Sequence, residues 1–258
     1  MISLKVDGGI AIATLCHAPV NAISEQWMDR FEAVLDEVEG SPAVKVLWIR
    51  SPERVFCAGA DLAWMRARFD SERGRREMID LTRRMQRNFS RIEDMPKVSL
   101  AEIGGAAMGG GFELALACDL RIIADSAKVA LPEARLGLLP AAGGTQRMTR
   151  ICGESVARRL ILGAEAVSGV QAVSMGLAQW SAPAAEIEAL AWQIAGRIAD
   201  LPGDAVSACK RCIGIAVDAA GVGYAAELAA SAQLLATDAT QQRVRRFLEK
   251  QLDTAPAR

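Results

Sequence analysis

A chain of 258 residues, 51% of them hydrophobic, can bury a substantial core and is too apolar to be disordered. Aromatic residues make up only 5%, so that core must rest on Ala, Leu, Ile and Val. A formal net charge of −1 excludes a global pull toward nucleic acid or anionic membrane. Met1-Ile2-Ser3-Leu4-Lys5 is charged early and lacks a signal-peptide pattern. No run of ~18 apolar residues reads as membrane-spanning. Six scattered cysteines fit reduced thiols, and the expected location is the cytoplasm. Cys209 and Cys212 form a Cys-x-x-Cys pair in a helical context, without a second pair or a nearby His. His17 is the only histidine, and no metal site is expected.

The first elements read clearly. Ile2 to Val6 alternates apolar and polar, Asp7-Gly8-Gly9 supplies a turn, and Ile10 to Leu15 returns as the second strand of a hairpin. After the loop Ala18 to Ala22, Ser24 is a good N-cap. Trp27, Met28, Phe31, Val34, Leu35 and Val38 then mark an amphipathic helix, stopped by Gly40-Ser41-Pro42. Val44 to Ile49 predicts a buried strand, and Ser51 to Ala63 a loop that includes Val55-Phe56 as a short strand. A long helix over Ser71 to Asp94 carries Met78, Leu81, Met85, Phe89 and Ile92 on one stripe, and Pro96 closes it. Arginines cluster between Arg66 and Arg91, interleaved with Asp and Glu, as on a solvated helix face.

Lys97 to Ile103 is a strand that delivers the chain into Met108-Gly109-Gly110-Gly111-Phe112-Glu113. Glycines there permit turns closed to other residues, and Phe112 to Cys118 predicts a helix apolar on every side. Its first N–H groups would lack intrahelical partners. Close packing alone explains such a stretch, and so does a site combining free N–H groups, a helix dipole and one carboxylate. Both readings stay open on these residues. A strand over Leu120 to Ala124, a short apolar piece Val129 to Leu131, Pro132-Glu133 and a turn at Gly143-Gly144 into further helix follow. Beyond about Ser181 the patterns are helical only: Ala184 to Leu201, Gly203 to Val217, Val222 to Ala236 and Thr240 to Leu252. Strands alternating with helices, then helices alone, predict an α/β core over 1–182 and a C-terminal helical region over 183–258.

Two backbone-rich turns, Ala58-Gly59-Ala60-Asp61 and Gly109-Gly110-Gly111, could present paired N–H donors to an oxygen that becomes negative during a reaction. Glu113 and Glu133 stand twenty positions apart, and the apolar neighbours of Glu133 predict a desolvated carboxyl suited to proton transfer.

At these residues the chain resembles the enoyl-CoA hydratase/isomerase (crotonase) superfamily. The resemblance is carried by Pro19-Val20-Asn21-Ala22-Ile23-Ser24, Phe56-Cys57-Ala58-Gly59-Ala60-Asp61-Leu62, Gly109 to Leu114, Pro132-Glu133, and Leu139 to Arg147, in order along nearly the whole chain. It implies a spiral of strand-strand-helix turns, with a C-terminal helical region that forms trimers or dimers of trimers. The implied substrate is a coenzyme A thioester, with no separate cofactor, no nucleic acid and no membrane. By position, the N–H groups of Ala60 and Gly110 would hold the thioester oxygen, and the backbone at Ala58 and Leu62 would meet the adenine. Ala22 and Asp61 also match coenzyme A-binding positions. Phe247 and Lys250 match positions from which a neighbouring subunit touches coenzyme A in some members.

Glutamate at both positions 113 and 133 is similar to the hydratases, which implies addition of water across a 2,3 double bond. The alternatives are a Δ3,Δ2-enoyl-CoA isomerase using Glu133 alone, and a non-catalytic or RNA-associated member. Several residues depart from the family pattern. Ala63-Trp64 stands for a common Lys-Glu, which leaves Arg54 as a substitute phosphate contact. Ala141 replaces a glycine, Glu102 an apolar residue, and Gln242-Arg243 a Glu-Gly pair.

Overall fold

The computed structural model describes residues 1–217 and 222–253. The hairpin β1 (Ile2–Asp7) and β2 (Ile10–Leu15) leads to α1 (Glu25–Gly40), capped by the Ser24 hydroxyl as expected. Three turns of a spiral follow. β3 (Val46–Arg50) and β4 (Val55–Cys57) precede α2 (Leu62–Phe69) and α3 (Glu72–Asp94). β5 (Val98–Ile103) and β6 (Ala106–Met108) precede α4 (Gly110–Ala117). β7 (Leu120–Ala124) and β8 (Lys128–Ala130) precede a 3-10 turn (Glu133–Leu136) and α5 (Gly144–Leu162). β9 (Val167–Ser168), α6 (Gly169–Ser174) and β10 (Trp180–Ala182) finish the spiral, and α7 (Ile187–Ala199), α8 (Gly203–Val217), α9 (Val222–Leu235) and α10 (Asp238–Asp253) close the chain.

Each spiral turn gives one strand to a six-stranded sheet, ordered β1-β2-β3-β5-β7-β10, and one to a four-stranded sheet, ordered β4-β6-β8-β9. Among the described residues only the β1/β2 and β8/β9 pairs are antiparallel. The remaining pairs are parallel, with β2 joined to β3 through α1 and the later crossovers running through the opposite sheet and a helix. α4 is enclosed on all sides, with every residue from Gly110 to Ala117 buried, as its uniformly apolar sequence requires. Arg121 closes its C-terminal end by donating to the carbonyls of Ala115 and Cys118. The six apolar positions expected on α1 are all buried, and Trp27, Phe31 and Phe89 of α3 form one aromatic cluster.

The interleaved charges join α1 to α3. Arg84 pairs with Asp29 and Glu32, and Arg91 pairs with Asp36 and Glu39, at 2.6–2.8 Å. Such half-exposed pairs fix register more than they stabilise. α7 lays Ile187, Ala191, Ile194 and Ala195 into the main core. α9 and α10 instead build a second apolar cluster with α2 and α3, through Leu235, Val244 and Leu248 against Met65, Phe69 and Met78. Among the described residues no helix is long and apolar enough to cross a membrane.

Four short elements, α2, β6, β9 and β10, correct the sequence reading. The loop placed over Ser51 to Ala63 ends at Asp61, whose carboxylate caps α2 by accepting from the Trp64 N–H. β6 and β9, with three and two residues, were not foreseen. β10 continues the large sheet by pairing with β7, just where strand patterning fades. Strands this short are set by the neighbour they pair with rather than by their own residues.

Candidate active site

The two glycine turns meet. In the parallel bridge between Ile23 and Ala60, the Ile23 N–H donates to the Gly59 carbonyl at 2.8 Å and the Asp61 N–H donates to the Ile23 carbonyl at 2.9 Å. The flanking peptide groups are thereby used, and the N–H of Ala60 itself faces the opposite way. Gly59 has φ +89°, and a Cβ there would lie 2.8 Å from the Met108 carbonyl oxygen and 3.2 Å from the Gly110 nitrogen. Only glycine lets the chain at Ala60 rest this close to Gly110. Gly110 opens α4, so its N–H has no acceptor within the helix and lies at the positive end of the dipole.

One carboxylate packs against that turn, and a second lies in the first turn of the helix it opens. Glu113 is 3% exposed, and its Oε1 accepts from the N–H groups of Ala142 and Gly144 at 2.8 Å each. Glu133 opens the 3-10 turn, which ends at Gly137 in a left-handed conformation. A Cβ added at Gly109 (φ +52°) would lie 2.9 Å from Glu133 Oε1, so the bare glycine is what leaves room for this carboxylate. Glu133 is only half-buried, less than its apolar neighbours imply. β8 turns Val129 and Ala130 into the core, whereas the 3-10 turn lifts the next residues toward the surface. The Cys57 thiol is pushed up to about 12 by burial, which disfavours the thiolate at neutral pH.

The residues expected to hold coenzyme A divide into two groups. Ala58 and Ala60 are exposed, Leu62 starts α2 beside the capping Asp61, and Ala22 sits partly buried next to Ile23. Phe247 and Lys250 line a cavity of about 530 Å³ with Met108, Ala130, Pro132 and Leu136. Met108 and Pro132 directly precede Gly109 and Glu133, so this cavity adjoins the glycine turn, and the same chain supplies both its floor and its α10 wall. α10 is anchored there by the Thr240 hydroxyl, which donates to the Gly137 carbonyl at 2.8 Å. Arg54 is exposed and is not part of that lining.

One residue without an assigned role organises the approach to Ala60. Asn21, fully buried with φ +52°, donates through Nδ2 to Ser51 Oγ and to the Val55 and Phe56 carbonyls at 2.8–3.2 Å. Its Oδ1 accepts from the His17 N–H. Asn tolerates the left-handed conformation, which was the available sequence signal. Replacing Asn21 with Ala is expected to destabilise the fold by about 2 kcal/mol, read from the shift of a urea unfolding midpoint.

The sequence profile of the enoyl-CoA hydratase/isomerase family matches residues 5–254. The chain belongs to that family. It is 41% identical over 176 residues to a probable enoyl-CoA hydratase of Bacillus subtilis, covering 68% of this chain and 67% of the relative. It is 38% identical over 158 residues to the mitochondrial methylglutaconyl-CoA hydratase of Mus musculus, covering 61% and 49%. The enoyl-CoA hydratase structure from Bacillus anthracis superposes with a TM-score of 0.78 at 29% identity, over 96% of both chains. The departures from the enoyl-CoA hydratase/isomerase pattern have clear places in the structure. Trp64 packs between the two apolar clusters and carries the Arg68 guanidinium 4.2 Å above its ring. Ala141 is buried in the loop that grips Glu113.

Proposed function

We propose that this protein is an enoyl-CoA hydratase, adding water across the 2,3 double bond of an enoyl-CoA thioester to give the 3-hydroxyacyl-CoA. The observation that carries this reading is a pair of carboxylates tied to the elements around Gly110: Glu133 Oε1 packs against Gly109, and Glu113, in the first turn of α4, is held by the Ala142 and Gly144 amides. In this mechanism both carboxyls bind the water. Glu113 takes a proton from it as its oxygen bonds to C3, and the displaced π electrons move onto the thioester oxygen. The Ala60 and Gly110 N–H groups hold that enolate oxygen. Glu133 delivers a proton to C2, the thioester carbonyl re-forms, and transfer of the proton from Glu113 to Glu133 resets the site. The coenzyme A moiety lies along Ala58 to Leu62 and toward Phe247 and Lys250, and the working form is a cytoplasmic trimer or dimer of trimers. Ion pairing of Arg84 and Arg91 with α1, and the balanced net charge, disfavour an RNA-binding role.

The test is loss of enoyl-thioester absorbance on adding crotonyl-CoA and longer, branched or carboxylated analogues, with the assembly sized in parallel. Turnover of at least one is expected. A folded protein that hydrates none of them, or only shifts a 3-enoyl to a 2-enoyl thioester, overturns the hydratase reading.

A further inference from the structure

The grip on Glu113 has its own support. The Ala142 N–H that holds Oε1 belongs to the peptide unit whose carbonyl is that of Ala141, and this carbonyl accepts from Gln86 Nε2 at 2.7 Å. The Gly144 N–H belongs to the unit whose carbonyl is that of Gly143, which accepts from the Arg147 backbone N–H at 2.9 Å. The peptide unit between them is fixed as well, because Arg147 Nη1 donates to the Ala142 carbonyl at 2.8 Å. Arg147 is 1% exposed, and its other terminal nitrogen pairs with Glu93 at 2.5 Å. Gln86 and Glu93 lie on one stripe of α3, seven residues apart. N–H and C=O point in opposite directions across a trans peptide, so a donor on the carbonyl side orients the amide and polarises it toward its acceptor.

We propose that Gln86 is a positioning residue for Glu113, acting through the 141–142 peptide, with Arg147 as its counterpart on the next peptide unit. Together they fix the 141–143 backbone whose amide holds Oε1, and so favour the carboxylate form of Glu113. The inference rests on the hydratase reading for its kinetic consequence and on geometry alone for its effect on the carboxyl.

The decisive measurement therefore does not need turnover. The Glu113 carboxyl is titrated by ¹³C NMR in glutamate-labelled protein, wild type against Gln86→Met, a variant of similar length that cannot donate. Weaker amide donation disfavours the carboxylate, so the Glu113 midpoint is expected to rise by about 0.5–1 pH unit in the variant. In the hydration assay kcat falls roughly 10- to 100-fold while KM changes less than about threefold, and the acidic limb of the rate profile moves with the NMR midpoint. Arg147→Lys, which retains a donor, keeps more activity than Arg147→Met, and this comparison serves where Gln86→Met does not fold. An unmoved Glu113 midpoint in folded Gln86→Met, or activity lost only in proportion to folded protein, overturns the proposal. Equal activity in the two Arg147 variants does the same. A wild-type protein that hydrates nothing, yet shows the shifted midpoint in Gln86→Met, retains the positioning role and rejects the hydratase reading.

Discussion

Glutamine in place of Glu133 is expected to lower crotonyl-CoA hydration by about three orders of magnitude, and glutamine at Glu113 by a comparable factor, since general acid–base groups contribute roughly 10²–10⁴ each. The substitutions change chemistry with little change of shape. At position 133 the side chain must pass beside Gly109, where even an added Cβ would lie 2.9 Å from Oε1, and glutamine fits the space that glutamate fills. The amide has no acidic proton to give to C2. At position 113 the glutamine oxygen still accepts from the Ala142 and Gly144 N–H groups, so the grip survives. The opposite end of the carboxamide is then an NH₂ group that donates where the water needs an acceptor. Initial rates on crotonyl-CoA, with KM measured for each variant, separate lost chemistry from lost binding. If Glu113→Gln hydrated normally while Glu133→Gln did not, the two-carboxylate mechanism would fail and hydration would rest on Glu133 alone.

The parts of this site that the sequence announced are those carried by local pattern. The α1 stripe, the all-apolar α4 and the turn residues Gly59 and Gly109 follow from periodicity and from backbone conformations that only glycine adopts easily. α2 escaped because eight residues with only Met65 and Phe69 buried carry little amphipathic signal, and its stability comes from packing against α3 and α10. The contacts that define Glu113 were illegible for another reason. Ala142 and Gly144 lie 29 and 31 residues further along the chain and act through backbone amides, which have no residue-type signature. The same holds for Gln86, which reaches Ala141 across 55 positions. Nor did the neighbours of Glu133 reveal its exposure, because apolar residues in a strand say nothing about the direction of the turn that follows.

Glu102→Gln is expected to stabilise the protein, and to do so more strongly as pH rises. Glu102 is 2% exposed on β5, far from any role assigned to the glycine turn. Its one cationic neighbour, Arg50, approaches at 3.3 Å but makes its best hydrogen bond to the carboxyl at a long 3.4 Å, and spends its shorter 2.6 Å contact on Glu188 of α7. Burial therefore outweighs the ion pair and pushes the Glu102 carboxyl from 4.5 up to about 7. Below pH 4.5 the acid is protonated in both folded and unfolded chains and contributes nothing. As pH rises toward 7 the unfolded chain ionises freely while the folded protein holds its proton, so stability falls across that window and then levels off. The neutral variant escapes the loss. Its advantage over the wild type is expected to be less than about 1 kcal/mol at pH 5 and about 3 kcal/mol at pH 8, from urea unfolding at both values. Arg50 keeps Glu188 in the variant, so no buried cation is left alone. An advantage that stays flat or reverses between pH 5 and pH 8 would show Glu102 ionised throughout, with Arg50 the stronger influence. The expected rise would mean that Glu102 is mostly a neutral acid in the folded protein below about pH 7, where an unfolded chain already carries the charge.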